Sequence, residues 1–247
     1  MKSAIAGEGS GSPNLKARIA GGLWILVILA GMFAEAFVRS RLIVHGDAAA
    51  TAQRIMASEF LYRLGIVADL VGALAYAGVS LLLYQLLRPV SRSVSLFAVS
   101  CGLAGSVVMV ANLLTLFAPL VFLGGGSALS GLDPQGQQAM ATASLRLHAI
   151  GYNLSMVFFA LQVSFLGYLV LRSAFLPHIL GALLGIEGAC NLLNSLAIFL
   201  FPAFADHLYP YILMPGLAAE GGLALWLLTI GVNVREWREQ AGVERRS

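Results

Sequence analysis

Charge is the first thing this chain lacks. Asp, Glu, Lys and Arg make up 11% of its 247 residues, while apolar types reach 59%. Soluble domains carry about 25% charged and about 45–50% apolar residues. The scarcity excludes a disordered chain and a soluble nucleic-acid binder, both of which need solvated charge. Cysteine is nearly absent. Cys101 and Cys190 both fall in apolar stretches, so a disulfide scaffold is excluded and the redox compartment is not readable. Histidine is limited to four residues. None stands at a metal-ligand spacing such as His-Glu-x-x-His, so a metal built from His45, His148, His207 and Glu35 is not expected. A haem would leave His148 as a lone axial ligand. No Gly-x-Ser-x-Gly elbow, phosphate-cradling glycine loop or Cys-x-x-Cys pair occurs. No cofactor is expected.

What is present is long apolar sequence, with a mean hydropathy of +0.85. Six runs reach the roughly 20 residues that a bilayer core of about 30 Å requires: Ile19–Val38, Leu61–Leu87, Val94–Leu123, Leu145–Leu171, Ile179–Phe201 and Ile212–Val234. Three exceed that minimum and should tilt or protrude. Barrel strands would be about ten residues long and alternating, so a β-barrel is excluded. The expectation is an all-α polytopic membrane bundle of six transmembrane helices, with the bilayer as partner and no nucleic acid.

The basic residues orient it. Lys2, Lys16, Arg18, Arg88, Arg92, Arg172, Arg235, Arg238, Arg245 and Arg246 fall on one side; Arg39, Arg41, Arg54, Arg63 and Arg146 fall on the other. The positive-inside rule places both termini in the cytoplasm. The net charge of +3 then reads as loop charge beside an anionic leaflet. Ala34-Glu35-Ala36 resembles a signal-peptidase site, but the apolar stretch before it outruns a normal h-region of about 7–15 residues. The first run therefore reads as a span. The division expected is a disordered cytoplasmic N-terminus over 1–16, a membrane domain over 17–234 and a cytoplasmic tail over 235–247. Asp47 reads as the N-cap of a short outer helix. Gly124–Ala141 reads as a loop containing the Asp133-Pro134 turn.

Polar residues inside spans mark either a pathway, a site or a structural pair. Glu35, Asp69, Glu187 and Glu220 are the acids, and Asn112, Asn153, Asn191 and Asn194 add amides, all in the outer half or middle. Gly31, Gly65 and Gly216 each precede an acid by four residues, which puts glycine and acid on one helix face. Close helix packing at those acids is expected, and also along Gly181-x-x-x-Gly185. Pro215 reads as a mild kink in the first turn of the last span. Arg39 reads as the i+4 partner of Glu35. Arg63 and Arg146 read as cations at helix N-termini, where the dipole disfavours them. They need compensation from Glu35, Glu59, Asp69 or an anionic ligand. His148 and Tyr152 have the spacing for a local hydrogen bond. Tyr62, Tyr152, Tyr209 and Tyr211 read as outer interface anchors, with Tyr84, Tyr168 and Trp237 as inner ones. A weak internal repeat aligns Gly102 and Asn112 with Gly181 and Asn191, and Asp69, Tyr84 and Arg88 with Asn153, Tyr168 and Arg172.

Several strings belong together. One runs Ala30-Gly31-Met32-Phe33-Ala34-Glu35, Val38-Arg39-Ser40 and Gly46-Asp47-Ala48-Ala49-Ala50-Thr51. Others are Tyr62-Arg63-Leu64-Gly65-Ile66-Val67-Ala68-Asp69-Leu70 and Leu147-His148-Ala149-Ile150-Gly151-Tyr152-Asn153, with Gly167-Tyr168-Leu169 and Phe175-Leu176-Pro177. Glu220 with Leu223-Ala224-Leu225-Trp226-Leu227-Leu228 and Gly231-Val232-Asn233 completes them. Between Ala17 and Asn233 the chain resembles the domain of unknown function 4386 family of bacterial integral membrane proteins. The resemblance implies one helical domain in a bacterial inner membrane, and no activity or site. Three functions fit the residues. The first is binding or transport of a small, lipid-like or anionic molecule through Glu35, Arg63, Asp69, Arg146, His148, Asn153 and Glu220. The second is an accessory or sensory subunit of another membrane protein, with the polar cluster as structural glue. The third is an intramembrane enzyme using buried carboxylates and His148.

Overall fold

Each helix begins where the sequence supplies a cap or a proline. The computed structural model describes residues 12–124, 131–208 and 211–244. Helix α1 (Pro13–Leu42) opens on Pro13, whose missing N–H is no loss in a first turn. Asp47 Oδ1 accepts the Ala50 N–H at 2.8 Å to start α2 (Ala48–Ala57), the short helix expected there. Helices α3 (Glu59–Leu87) and α4 (Arg92–Leu123) follow, then α5 (Pro134–Arg172), α6 (His178–Leu200), α7 (Pro202–Leu208) and α8 (Met214–Thr229). A single 3-10 turn, Tyr211–Leu213, leads into α8. The last element is α9 (Val234–Glu244).

Three boundaries differ from expectation. Asp133-Pro134 is a helix start, not a loop turn: Asp133 Oδ1 accepts the Gly136 N–H at 2.8 Å with Pro134 in the first position. Helix α5 therefore takes up the second half of the expected loop. Its 39 residues span about 58 Å at 1.5 Å per residue, far more than a bilayer core. The first expected domain boundary also moves. Residues 1–11 lie outside the described residues, but Pro13–Lys16, expected to be disordered, form the first turn of α1. Finally, the last span is shorter than Ile212–Val234. It stops at Thr229, Gly231 takes φ +81°, and α9 leaves at 98°. A positive φ is cheap only for glycine.

Among the described residues five helices are long and apolar enough to cross a membrane, and the bent pair α8 and α9 makes a sixth if it is counted as one span. The chain is thus an all-α polytopic membrane bundle. Helices α1, α3, α4, α5, α6 and α8 pack in that order around a closed ring, α8 returning to α1. Asn14 Oδ1 accepts the Val232 N–H at 2.9 Å, Trp237 Nε1 donates to the Leu86 carbonyl at 2.8 Å, and Gln240 Nε2 donates to the Arg172 carbonyl at 3.3 Å. The start of α1 and the helix α9 therefore sit at the same end of the ring.

That terminal end is filled. Leu83, Leu86, Leu169, Leu180, Leu184, Leu223 and Leu227 join in one apolar core. Small residues let the backbones approach. A Cβ on Gly167 would lie 2.8 Å from the Gly181 carbonyl oxygen and 2.8 Å from the Gly185 nitrogen. One on Gly21 would lie 2.5 Å from the Leu228 nitrogen. This is the small-residue packing by which helices associate without a hydrophobic drive. The far end of the ring holds the polar residues.

Candidate functional site

The first polar group joins α1 to α3. Residues Phe33–Arg39 wind as a π-helix, in which the Ser40 N–H reaches back to the Glu35 carbonyl. Such turns are rare and cluster at functional sites. Arg39 Nε donates to Glu35 at 2.7 Å, and its two Nη atoms donate to Asp69 at 2.5 and 3.3 Å. The Asp69 side chain is 4% exposed and that of Arg39 is 14% exposed, while that of Glu35 is 69% exposed. A planar guanidinium suits this two-sided pairing. The crevice between Arg39, Tyr62, Gly65 and Leu116 is too narrow for a water molecule. Tyr62 is buried, and its hydroxyl donates to the Leu116 carbonyl at 2.8 Å; it is a tie to α4 and not the interface anchor expected. Every charge in this group has a partner.

The second group joins α4 to α5. Asn112 Nδ2 donates to the His148 carbonyl at 2.9 Å and lies 3.1 Å from His148 Nδ1, with Thr115 Oγ1 at 3.3 Å. His148 is 7% exposed. The expected bond from His148 to Tyr152 is replaced by this one, because the imidazole faces the neighbouring helix and not its own next turn.

The third group lies deeper, one turn beyond the apolar core. Glu187 on α6 and Glu220 on α8 present their carboxyls within hydrogen-bonding reach of each other. Trp24 Nε1 on α1 donates to Glu220 Oε2 at 3.2 Å, and Asn191 Nδ2 donates to Glu187 Oε1 at 3.4 Å. Tyr76 on α3 packs edge-on to Trp24 at 6.2 Å and to Phe159 at 4.7 Å. Glu187 is 1% exposed, and Glu220 is half-buried. Glu187 Oε2 and the Tyr76 hydroxyl have no hydrogen-bond partner among the described residues. Gly216 makes room: a Cβ there would lie 3.3 Å from Glu187 Oε1.

The structure thus gathers Glu35, Asp69, His148 and Glu220 at the far end and middle of the ring. It does not gather Arg63, Arg146 or Asn153. Arg63 pairs with Glu59 on its own helix at 2.6 Å, both half exposed. Glu59, the first residue of α3, sits where the helix dipole favours an anion, and it compensates Arg63 on the same helix. Arg146 is exposed and lies twelve residues past the start of α5, not at a helix N-terminus; the dipole argument for it falls with the earlier boundary. Asn153 donates to its own helix at the Ala149 carbonyl. Asp69 and Asn153, aligned by the repeat, thus have unlike surroundings. Close packing at the acids holds for Gly65, where a Cβ would lie 2.9 Å from Val38, and for Gly216, but nothing stands within 4 Å at Gly31.

Trp24, Tyr76 and Gln162 are the residues sequence reading missed. Gln162 Nε2 donates to Ser80 Oγ at 2.8 Å across the ring, in the space left by Gly102. Its signal was an amide inside an apolar run, the same signal that singled out the asparagines. Among the described residues no three His, Cys, Asp or Glu side chains converge as metal ligands.

Residues 19–231 match the family described as Domain of unknown function (DUF4386). No curated protein and no solved structure matches the chain.

Proposed function

The chain belongs to the DUF4386 family, and on the geometry of its interior we propose that it binds a small or lipid-like molecule with a cationic group in the polar half of the ring. One observation carries the reading. Three carboxyls, Asp69, Glu187 and Glu220, stand in the interior, with Glu35 exposed at its edge, and the guanidinium beside them, Arg39, is already engaged by Glu35 and Asp69. The deeper pair is left without a cation, and buried acids without one are costly to keep. An anionic ligand loses its support, since Arg63 and Arg146 lie outside the group. Trp24 and Tyr76 place aromatic rings beside Glu220, which suit an organic cation. Glu220 is half-buried, while the apolar core closes the terminal end of the ring. By the charge of its loops that far end faces outward from a bacterial inner membrane. The intramembrane-enzyme reading has less behind it, because His148 is held on α4 by Asn112 and Thr115.

The test is equilibrium binding to the full chain in lipid nanodiscs, comparing tetraphenylphosphonium with tetraphenylborate, its anionic analogue. The cation is expected to bind and the anion not, with Glu220→Gln weakening the cation at least tenfold. Equal binding of the two ions, or none, refutes the reading.

A further inference from the structure

We propose that the Glu187–Glu220 pair holds one exchangeable proton between its carboxyls, and that a cation entering the site displaces it. The inference rests on the reading above only for the displacement step.

The geometry of the pair calls for something between the two groups. Carboxylates within hydrogen-bonding reach repel in a low-dielectric interior, and two such groups do not both ionise. The neighbours offer little relief. Trp24 and Asn191 each give one N–H, the latter at 3.4 Å. Glu187 Oε2 receives nothing, although the residue is 1% exposed. The Tyr76 hydroxyl, on a residue 6% exposed that packs against Trp24, is also unpartnered. The titratable groups beside the pair are Tyr76 of α3, which packs on the Trp24 indole that binds Glu220, and Cys190, three residues past Glu187 on α6. Neither is basic, and among the described residues no Lys, Arg or His forms an ion pair with either carboxyl. A proton shared between the groups satisfies Glu187 Oε2 and leaves a single negative charge, which the indole and amide N–H groups stabilise.

The exchange balances. With the site empty, one O–H bond and one carboxylate make up the pair. When a monovalent cation enters, that O–H bond breaks and the proton passes to water on the far side. Both carboxylates then face the cation. The site's net charge is the same before and after. Release is one-sided, because Leu180, Leu184, Leu223 and Leu227 pack directly below the pair.

Two measurements on the full chain in nanodiscs test this. The first is the infrared carbonyl band of a protonated carboxyl, which should be present in the empty protein, shift in deuterium oxide and disappear in both Glu187→Gln and Glu220→Gln. The second is proton release on adding tetraphenylphosphonium, a permanently charged ion with no proton of its own. About one proton per bound cation is expected, with affinity falling up to about tenfold for each unit drop in pH. If the wild-type chain has no exchangeable carboxyl band, the inference is overturned whether or not the cation binds. Binding without proton release overturns the displacement and leaves the binding reading intact. A band with no cation bound overturns the binding reading and supports the proton site. The wild-type deuterium shift keeps the test decisive should either variant fail to fold.

Discussion

At the residue scale, two arginines that look alike in sequence differ in what they hold. Arg39 is buried between Glu35 and Asp69, whereas Arg63 shares a half-exposed pair with Glu59. Removing one partner of a buried pair strands the other charge, which costs about 3–5 kcal/mol. Exposed pairs contribute about 0–1 kcal/mol. Asp69→Ala is therefore expected to lower the thermal midpoint in detergent sharply, and Arg63→Ala to leave it nearly unchanged. Equal shifts would mean that the Arg39–Asp69 contact is not a structural tie. The difference was not legible from spacing. Arg39 and Glu35 are four residues apart, so their pairing follows from helix period alone. Asp69 lies thirty residues on and reaches Arg39 only because α1 packs on α3.

At the element scale, glycine sorts into two kinds. Gly181 presses on the Gly167 carbonyl, 2.8 Å from where its Cβ would stand, with the Leu171 nitrogen equally near. Backbone atoms cannot move aside as a side-chain tip can. Gly181→Ala should therefore destabilise the α5–α6 contact by about 1–3 kcal/mol, the usual cost of overpacking. Gly31 has nothing within 4 Å, so Gly31→Ala should be neutral or stabilise by up to about 1 kcal/mol through helix propensity. Thermal unfolding of the two variants side by side checks both. The small-xxx-small pattern announced the first contact. Gly31 precedes Glu35 just as Gly65 precedes Asp69, yet only one of the two is packed. Near Gly31 the chain enters the π-helical stretch, and nothing in local composition marks that change of winding.

At the scale of the whole molecule, the ring closes when α8 returns to α1, and α9 docks on the carbonyls of Leu86 and Arg172. The first and last described helices therefore meet at one end of the ring. Reporter fusions to the N-terminus and to the C-terminus should report the same compartment, and the positive-inside count makes it the cytoplasm. Opposite readings would mean that α8 does not cross. Gly231 turns the chain from α8 into α9 at positive φ, and Asn14 Oδ1 lies 2.5 Å from where its Cβ would stand. Gly231→Ala is expected to cost about 1 kcal/mol or more and to loosen α9, read as greater solvent exposure of Trp237 fluorescence.

Hydrophobic run length, loop charge and cap residues act locally, and they alone determined that this is a helical membrane protein of about six spans. They also determined that Asp47 starts a helix and that acids lie within the spans. Which acids meet is a property of the tertiary structure. Glu187 and Glu220 are thirty-three positions apart on helices that touch only when the ring closes, and Trp24 arrives from the other end of the chain. The same closure decided that Arg63 and Arg146 stay outside. A helix period relates residues within one turn of each other, and the polar interior is built from residues related only by packing.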